Sequence, residues 1–552
     1  MSARAIRAAL AADAELGAGN VLTRLREHGA DPAGPGITFD VPVDGHPAWS
    51  PLTLGELTES VARRAAWLHG LGIGPRDPVA VYATSAADSL LSFLALTWLG
   101  AIPALLNGSM PGEIAAGFIA RLRAAALLTD AAHGALLDGH DLGVPLAADL
   151  AGAGGGDPAA APVPYRLHPD DPVAITHSSG TTRVPAAVVH SHASLFAAIR
   201  LLRLNEPRPH GAVRVLSVLP AAHTAGIITL NEALCNRYEL AFLSGQGGPP
   251  GQSGPVVLDA IESWRPSWVF GFAVTWVELA RYDLAARDLA SVSLWYNTGD
   301  CAHEAHVRRL IAVGSHPSFD GGRLASAPGS RFSDCIGSTE MGHAAFHIMH
   351  RPGSDRYGRC VGRPYGFAQI ALLDLATGEP APDGQVGQVA LKSPTVAPGY
   401  WNDSASTYRS RLGGWYLTGD LMYRDAGGWY YHVDRAADAV DLGGGNWLYT
   451  ALSEERILAR CPDVRDCTVL GGRPGGPGGP VATDVLLLLG AGADPAADRR
   501  HAIAAALGPA AAATLRNVVV LPDEEIVTGP TGKVRKFLMR EYRFAGAGGG
   551  PR

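Results

Sequence analysis

Four short stretches of this sequence collect the residue types that handle phosphate, metal ions and ribose. HSSGTTRVPAAVVHSH, residues 177–192, gathers Ser178, Ser179, Thr181 and Thr182 around Gly180. Such a loop suits phosphate oxygens, which its hydroxyls and backbone N–H groups can surround as donors. GSTE at 337–340 places the carboxylate of Glu340 directly after two hydroxyls, a hard-oxygen set suited to a Mg²⁺ ion that also holds triphosphate oxygens. GWYLTGD ends in Asp420, whose carboxylate can accept hydrogen bonds from two ribose hydroxyls. PTGKVRK presents Lys533 on a glycine-containing loop near the C-terminus. Taken singly, each has an ordinary alternative: a surface turn, an N-cap partner, an Asp-containing β-turn, a solubilising lysine.

These stretches need a scaffold that brings residues 178 and 533 together. From about residue 50 to 270, the β-branched runs VAVYA (79–83), AALLT (125–129), VAIT (173–176) and VRVLSVLP (213–220) alternate with helical patterns. That alternation predicts parallel α/β construction, with ligands at the glycine-rich loops that end the strands. SLLSFLALTWLGAIPALL, 89–106, is apolar enough to span a membrane, but Gly100 and Pro103 interrupt it after about three turns, so it reads as a buried helix followed by a buried strand. After residue 355, IALLD, GQVALKS and GWYYHVD read as antiparallel strands joined by Gly/Asp turns. Near Arg435 three glycines precede the helical SEERILARC; one further strand, VATDVLLLLG, a helix around 498–507 and a glycine-rich tail complete the chain.

At 552 residues the chain is too long for one core. Its 47% hydrophobic and 18% charged residues are those of a folded soluble protein, and a net charge of −7 argues against a nucleic-acid partner. The six cysteines form no CxxC pair, which speaks against zinc sites and disulfide frameworks. With no apolar signal-peptide segment at the N-terminus, a cytoplasmic enzyme with reduced thiols is expected, with no membrane partner. Oligomeric state is not readable from the sequence.

In this order the four motifs resemble those of the adenylate-forming superfamily, which includes acyl-CoA synthetases, peptide-synthetase adenylation domains and beetle luciferases. DPVAVYATSAADSLLSFLALTWLGAIPALLN, GRCVGRP, GQVGQVALKSP and GYWNDSASTYRSRLGGWYLTGDL extend the resemblance over roughly residues 50–540. It implies an α/β fold: a large N-terminal domain of α/β lobes (1–434) with a β-subdomain (about 355–434), and a small mobile α+β C-terminal domain (435–552) after a hinge near Asp434 and Arg435. It also implies an ATP-dependent ligase that adenylates a small organic acid, releases pyrophosphate, and transfers the acid to a thiol, of CoA or a carrier protein, or to an amine.

Carried over, Ser179, Gly180, Thr181, Thr182 and Arg183 contact phosphate. Ile336, Gly337, Ser338 and Thr339 line the adenylate site, Asp420 and Arg435 bind ribose, and Glu340 holds Mg²⁺. Lys533 bridges the attacking acid and the α-phosphate. Thr339 contacts the adenylate phosphate and His223, in PAAHTAG, flanks the acyl pocket, with a backbone-bonded core histidine as its alternative. The pocket lining is expected among Trp268–Trp276, Asn297–Asp300 and Met341–His347, a mixture favouring a small or aromatic acid.

The sequence also departs from the superfamily pattern. The loop lysine is Ala186, with Arg183 as a replacement charge three residues upstream. The aromatic residue expected before GSTE is Ile336, and the hinge and basic-loop positions are Ala437 and Asn446. These changes leave two further readings: a diazotase-like enzyme that activates nitrite for attack by an aromatic amine, and a degenerate nucleotide-binding protein.

Overall fold

The structure, a computed structural model, describes residues 2–178, 184–205, 212–244, 253–320, 323–474, 476, 478–529 and 533–544. Two large sheets carry the N-terminal part. In the first, parallel strands Pro35–Phe39, Glu239–Phe242, Arg214–Ser217, Trp268–Phe272, Leu294–Thr298 and Arg331–Ile336 lie side by side. Beyond Arg331–Ile336 the same sheet becomes antiparallel, through Phe346–His350, Cys360–Pro364, Tyr430–Arg435, Trp415–Arg424, Gly387–Lys392 and Gln369–Leu373. The change of character read after residue 355 therefore starts slightly earlier, at Phe346, and without a break in the sheet.

The second sheet centres on the parallel strands Pro78–Tyr82, Ile102–Leu106, Ala126–Thr129 and Pro172–His177. Its edge is antiparallel: Ala187–Ser191 folds back on Pro172–His177, a hairpin the βα alternation did not suggest. The apolar 89–106 stretch is a helix, Ala86–Trp98, and a fully buried strand, Ile102–Leu106. Between them Gly100 adopts φ +75°, and a Cβ there would come within 2.5 Å of the Tyr165 ring, so both backbone and space demand glycine. Among the described residues no helix is long and apolar enough to cross a membrane.

The C-terminal part holds a three-stranded sheet where the sequence suggested one strand: Val464–Gly472, Ala482–Leu489 and Leu515–Val520. The first, VRDCTVLGG, hides behind its Arg, Asp and Gly residues. The three glycines near 444 do not lead into a helix directly; they turn a hairpin, Val440–Gly443 with Asn446–Leu448, and the helix Thr450–Arg460 follows. This C-terminal part is tied to the first sheet's lobe by the ion pair of Asp523 with Arg281, by His303 Nδ1 at 2.6 Å from Glu455 Oε2, and by His306 Nε2 donating to Arg465 O (2.9 Å).

All six cysteines are free and buried. Several histidines are buried too: burial pushes His190 and His223 down to about 3, and His343 and His350 down to about 4. Below 6.5 the unfolded chain binds protons that these folded rings refuse, so stability is complete above that pH and is lost as pH falls, by about 1.4 kcal/mol per pH unit for each such ring. The melting temperature is expected to drop steadily from pH 7 to pH 5 in a circular-dichroism melt; an unchanged value would contradict the neutral assignment.

Candidate active site

A cavity of about 190 Å³ opens where the first sheet's parallel strands end. Phe272 and Thr298 terminate two of them, Leu219 follows a third, and Gly337 follows Ile336 at the end of a fourth. Ser178, just past the last strand residue of the second sheet's Pro172–His177, forms the opposite wall. Carboxyl ends of parallel strands are where α/β sheets bind ligands, because the connecting loops diverge there.

Lys533 reaches into this cavity from the C-terminal part. Its Nζ donates to Gly299 O (3.4 Å) and lies 3.7 Å from Asp300 Oδ2. From Asp300 a line of alternating charges runs on. Arg359 Nη2 is 3.5 Å from Asp300 Oδ1 and donates to His432 Nδ1 at 2.8 Å. A guanidinium only donates, so His432 Nδ1 accepts and Nε2 carries the proton of the neutral ring, facing Asp420 Oδ1 at 3.5 Å. Arg435 Nη1 closes the line on the same Asp420 oxygen at 3.0 Å. Burial opposes ionisation of both carboxylates, but Lys533 and Arg359 hold Asp300 well below the usual range, and Arg435 and His432 hold Asp420 at about 2.

Arg359 and His432 were missed by sequence reading. They stand in the quoted motifs GRCVGRP and GWYYHVD, but nothing local marks Arg359 as a partner of Asp300, 59 residues away, or of His432, 73 residues away. The turn bearing Asp300 is itself held from behind. Asn297 Nδ2 donates to Asp334 Oδ1 (2.6 Å) and Ala302 N to Asp334 Oδ2 (3.2 Å), while burial pushes Asp334 up to about 7.

His223 shows both of the features weighed for it. Its Nδ1 accepts the Ala225 N–H (3.1 Å), capping the helix Thr224–Asn236, and its ring lines the cavity. The cap fixes the tautomer: in a neutral ring Nε2 must carry the proton, and it sits 3.3 Å from Thr339 Oγ1. Thr339 in turn donates to His177 O at 3.4 Å. Thr339 is thus held between the two strand ends, with Gly337, Ser338 and Glu340 beside it on the cavity wall.

The donor set fits Mg²⁺ bound mainly through substrate phosphates. Glu340 brings one carboxylate, with Tyr400 Oη at 3.3 Å from its Oε1, and no cluster of three or more His, Cys, Asp or Glu side chains that would cage a metal exists among the described residues. The fit to ATP is seen in the ionised Asp420 beside Arg435, a pairing of acceptor and cation suited to ribose hydroxyls.

Some expected residues fall elsewhere. Ile336 does not line the cavity; at 3% exposure it packs with Met341, Phe346 and Val361. Trp276 is wholly buried behind the wall, its Nε1 donating to Asn297 Oδ1 (2.8 Å). Of the expected lining segments, Phe270, Phe272, Thr298, Gly299, Gly342, His343 and Ala344 do face the cavity. Ser179, Gly180, Thr181, Thr182 and Arg183 lie outside the described residues. The base of their loop is closed by Ser178 N donating to Ala186 O (2.9 Å) and Ala186 N to Ser178 Oγ (3.0 Å).

Residues 39–401 match the family model of AMP-binding enzymes, and the chain belongs to that family. It is an ATP-dependent adenylate-forming enzyme. It is 40% identical to a 3-aminoavenalumate diazotase of a Streptomyces species over 98% of both chains. It is 27% identical to the 3-amino-2-hydroxy-4-methoxybenzoate diazotase of Streptomyces cremeus, over 81% of this chain and 83% of that one. Its fold matches the crystal structure of an anthranilate CoA ligase in complex with anthranoyl-AMP, with a TM-score of 0.81 and 20% identity over 95% of this chain and 97% of the other.

Proposed function

We propose that this enzyme activates nitrite with ATP and delivers it to the nitrogen of an aromatic amine, giving a diazonium product. The observation that carries this reading is the 40% identity to a diazotase along 98% of both chains. The cavity supports it: Phe270, Phe272 and Tyr296 make an aromatic wall for a flat ring. Ala437 and Asn446, at positions that serve transfer to CoA in the superfamily, favour a nitrogen acceptor over a thiol.

ATP is a substrate here. A nitrite oxygen displaces pyrophosphate at the α-phosphorus, giving a mixed anhydride of nitrous acid and AMP. The amine nitrogen then attacks the nitrosyl nitrogen, AMP leaves with the O–N bonding pair, and the amine loses one proton. The resulting nitrosamine loses its oxygen as water, through its diazohydroxide tautomer and one added proton, to give the diazonium ion.

In this reading Asp420 and Arg435 hold the ribose, and Thr339 and the Nε2–H of His223 steady the α-phosphate region. Lys533 sets its charge between nitrite and the α-phosphate, where negative charge builds as the two anions approach. Mg²⁺, held by Glu340, would neutralise the outgoing pyrophosphate. Thr181 and Thr182 contact phosphate, and Arg183 supplies the charge that Ala186 lacks. Residues 1–434 bear most of the site, and the C-terminal domain, 435–552, adds Arg435 at its start and delivers Lys533.

Pyrophosphate release from ATP and Mg²⁺ tests the assignment, across nitrite and short aliphatic and aromatic carboxylates, each with CoA or an arylamine. Release is expected with nitrite and acceleration with the amine. Release driven by a carboxylate, and accelerated by CoA, would replace this reading with a CoA ligase.

A further inference from the structure

Two cations converge on Asp300, one from each part of the chain. Lys533 Nζ stands 3.7 Å from its Oδ2 and Arg359 Nη2 stands 3.5 Å from its Oδ1. Asp300 and Lys533 are partly exposed, whereas Arg359 is buried. Arg359 is held there against a backbone preference. Eight non-glycine residues among those described adopt positive φ, and Arg359, at +63°, alone of them is buried. An L-residue is uncommon in that region and persists where its surroundings over-determine it. Here His432 does so: Arg359 Nε donates to His432 O (3.1 Å) and Nη2 to His432 Nδ1 (2.8 Å), while His432 N donates to Arg359 O (3.0 Å). The guanidinium is therefore a stationary charge. Among the described residues Asp300 is the one carboxylate within ion-pair distance of it; Glu454 and Glu455, the next carboxylates to act on it, are taken up by Lys536 (2.7 Å) and His303 (2.6 Å). Asp300 is fixed as well. Its Oδ1 accepts the Cys301 N–H (2.8 Å) and its carbonyl accepts from Asn297 Nδ2 (2.6 Å), which leaves Oδ2 to face Lys533.

We infer that Arg359 is a positioning residue for the reaction: its buried charge satisfies Asp300, which would otherwise hold Lys533 against the cavity wall and away from the reacting anions. A carboxylate shared between two cations binds each less tightly than it would bind either alone, and a cation sheltered from water is screened little by salt. With Arg359 in place the three side chains leave one positive charge for the incoming anions; without it they leave none. The inference rests on the role proposed for Lys533 and is the same whichever acid is activated.

Two measurements on the full-length protein test it. Trace labelling with acetic anhydride, read by mass spectrometry as acetylation of Lys533 relative to Lys392, reports how firmly Lys533 is held; the chain has three lysines, so the readout is simple. The kcat for pyrophosphate release, with whichever acid drives it, reports the consequence. Arg359→Gly removes the charge where the backbone suits glycine, and Arg359→Gln removes it while keeping an amide donor for His432. In each, labelling of Lys533 is expected to fall about threefold and kcat about tenfold. Added to Asp300→Asn, the same substitutions should change either quantity by less than about twofold, because the charge that Arg359 answers is already gone. Any rise in the KM for ATP passes through His432 and Asp420 and should persist in the double variants. Arg359→Lys, which keeps the charge, should retain more of both quantities than either neutral variant. Asp300→Asn alone should label Lys533 faster than the wild type does. Circular dichroism checks that each variant is folded, and the glycine and glutamine variants stand in for one another. Wild-type labelling and kcat in a folded neutral variant, the same loss with and without Asp300→Asn, or unchanged labelling in Asp300→Asn overturns the inference. Labelling that responds as expected while Lys533→Ala keeps a normal kcat would refute the role proposed for Lys533 and leave the hold of Asp300 on it standing.

Discussion

Lys533→Ala is expected to lower kcat for pyrophosphate release by two to three orders of magnitude while leaving the KM for ATP nearly unchanged. Lys533 reaches the cavity wall from the far end of the C-terminal part, and it lies 3.4 Å from Gly299 O and 3.7 Å from Asp300 Oδ2, distances long enough for it to turn toward substrate. Removing one pre-placed group that stabilises transition-state charge costs about 3–4 kcal/mol in comparable sites, a factor of roughly 10²–10³. The interaction forms fully only as the two anions meet, so its loss falls on kcat. Half-exposed and bound to the rest of the protein by weak contacts, the lysine contributes little to folding, and the melting temperature should stay within a degree or two. A variant with normal kcat would remove Lys533 from the chemistry.

Asp420→Ala is expected to raise the KM for ATP by about 10- to 100-fold, the range that the loss of hydrogen bonds to a charged group, about 1.5–3 kcal/mol, corresponds to. Asp420 is 3% exposed and joins Arg435 to His432, so its removal also leaves both facing a gap. Asp420→Asn separates the two effects: it keeps the shape and one acceptor oxygen, and should restore stability more fully than ATP affinity. Because Asp420 stays ionised down to about 2, its contribution to ATP binding should not titrate between pH 5 and 9. Titrations of ATP-dependent turnover in the two variants check both statements; an unchanged KM in each would remove Asp420 from the nucleotide site.

The residues of this site that were legible in the sequence are those whose meaning is carried by their immediate neighbours. GSTE, TGD and PTGK each mark a functional group by its immediate neighbours, although the structure sets Asp420 within the strand Trp415–Arg424 and not in the tight turn its spacing suggested, and short-range spacing is what a sequence displays. Arg359 and His432 were not legible because their role depends on pairing between Cys360–Pro364 and Tyr430–Arg435, strands some seventy residues apart. Ile336 shows a related dependence: its position before GSTE suggests the site, while its pairing with Phe346 packs its side chain among Met341, Phe346 and Val361. The parallel lobes were visible through runs such as VAVYA and VAIT, whereas Val464–Gly472 was hidden by polar residues on a strand that is largely buried only in its second half.

The central claim is that nitrite nitrogen ends up bonded to the nitrogen of an arylamine at the expense of ATP. The most direct measurement is mass spectrometry of the product formed from ¹⁵N-nitrite, ATP, Mg²⁺ and an aminophenol, trapped by coupling to an electron-rich phenol. The account predicts an azo adduct carrying one ¹⁵N, absent without ATP and strongly reduced with Lys533→Ala. An adduct that forms equally well without ATP, or unlabelled amide or thioester products from an added carboxylic acid in its place, would contradict it.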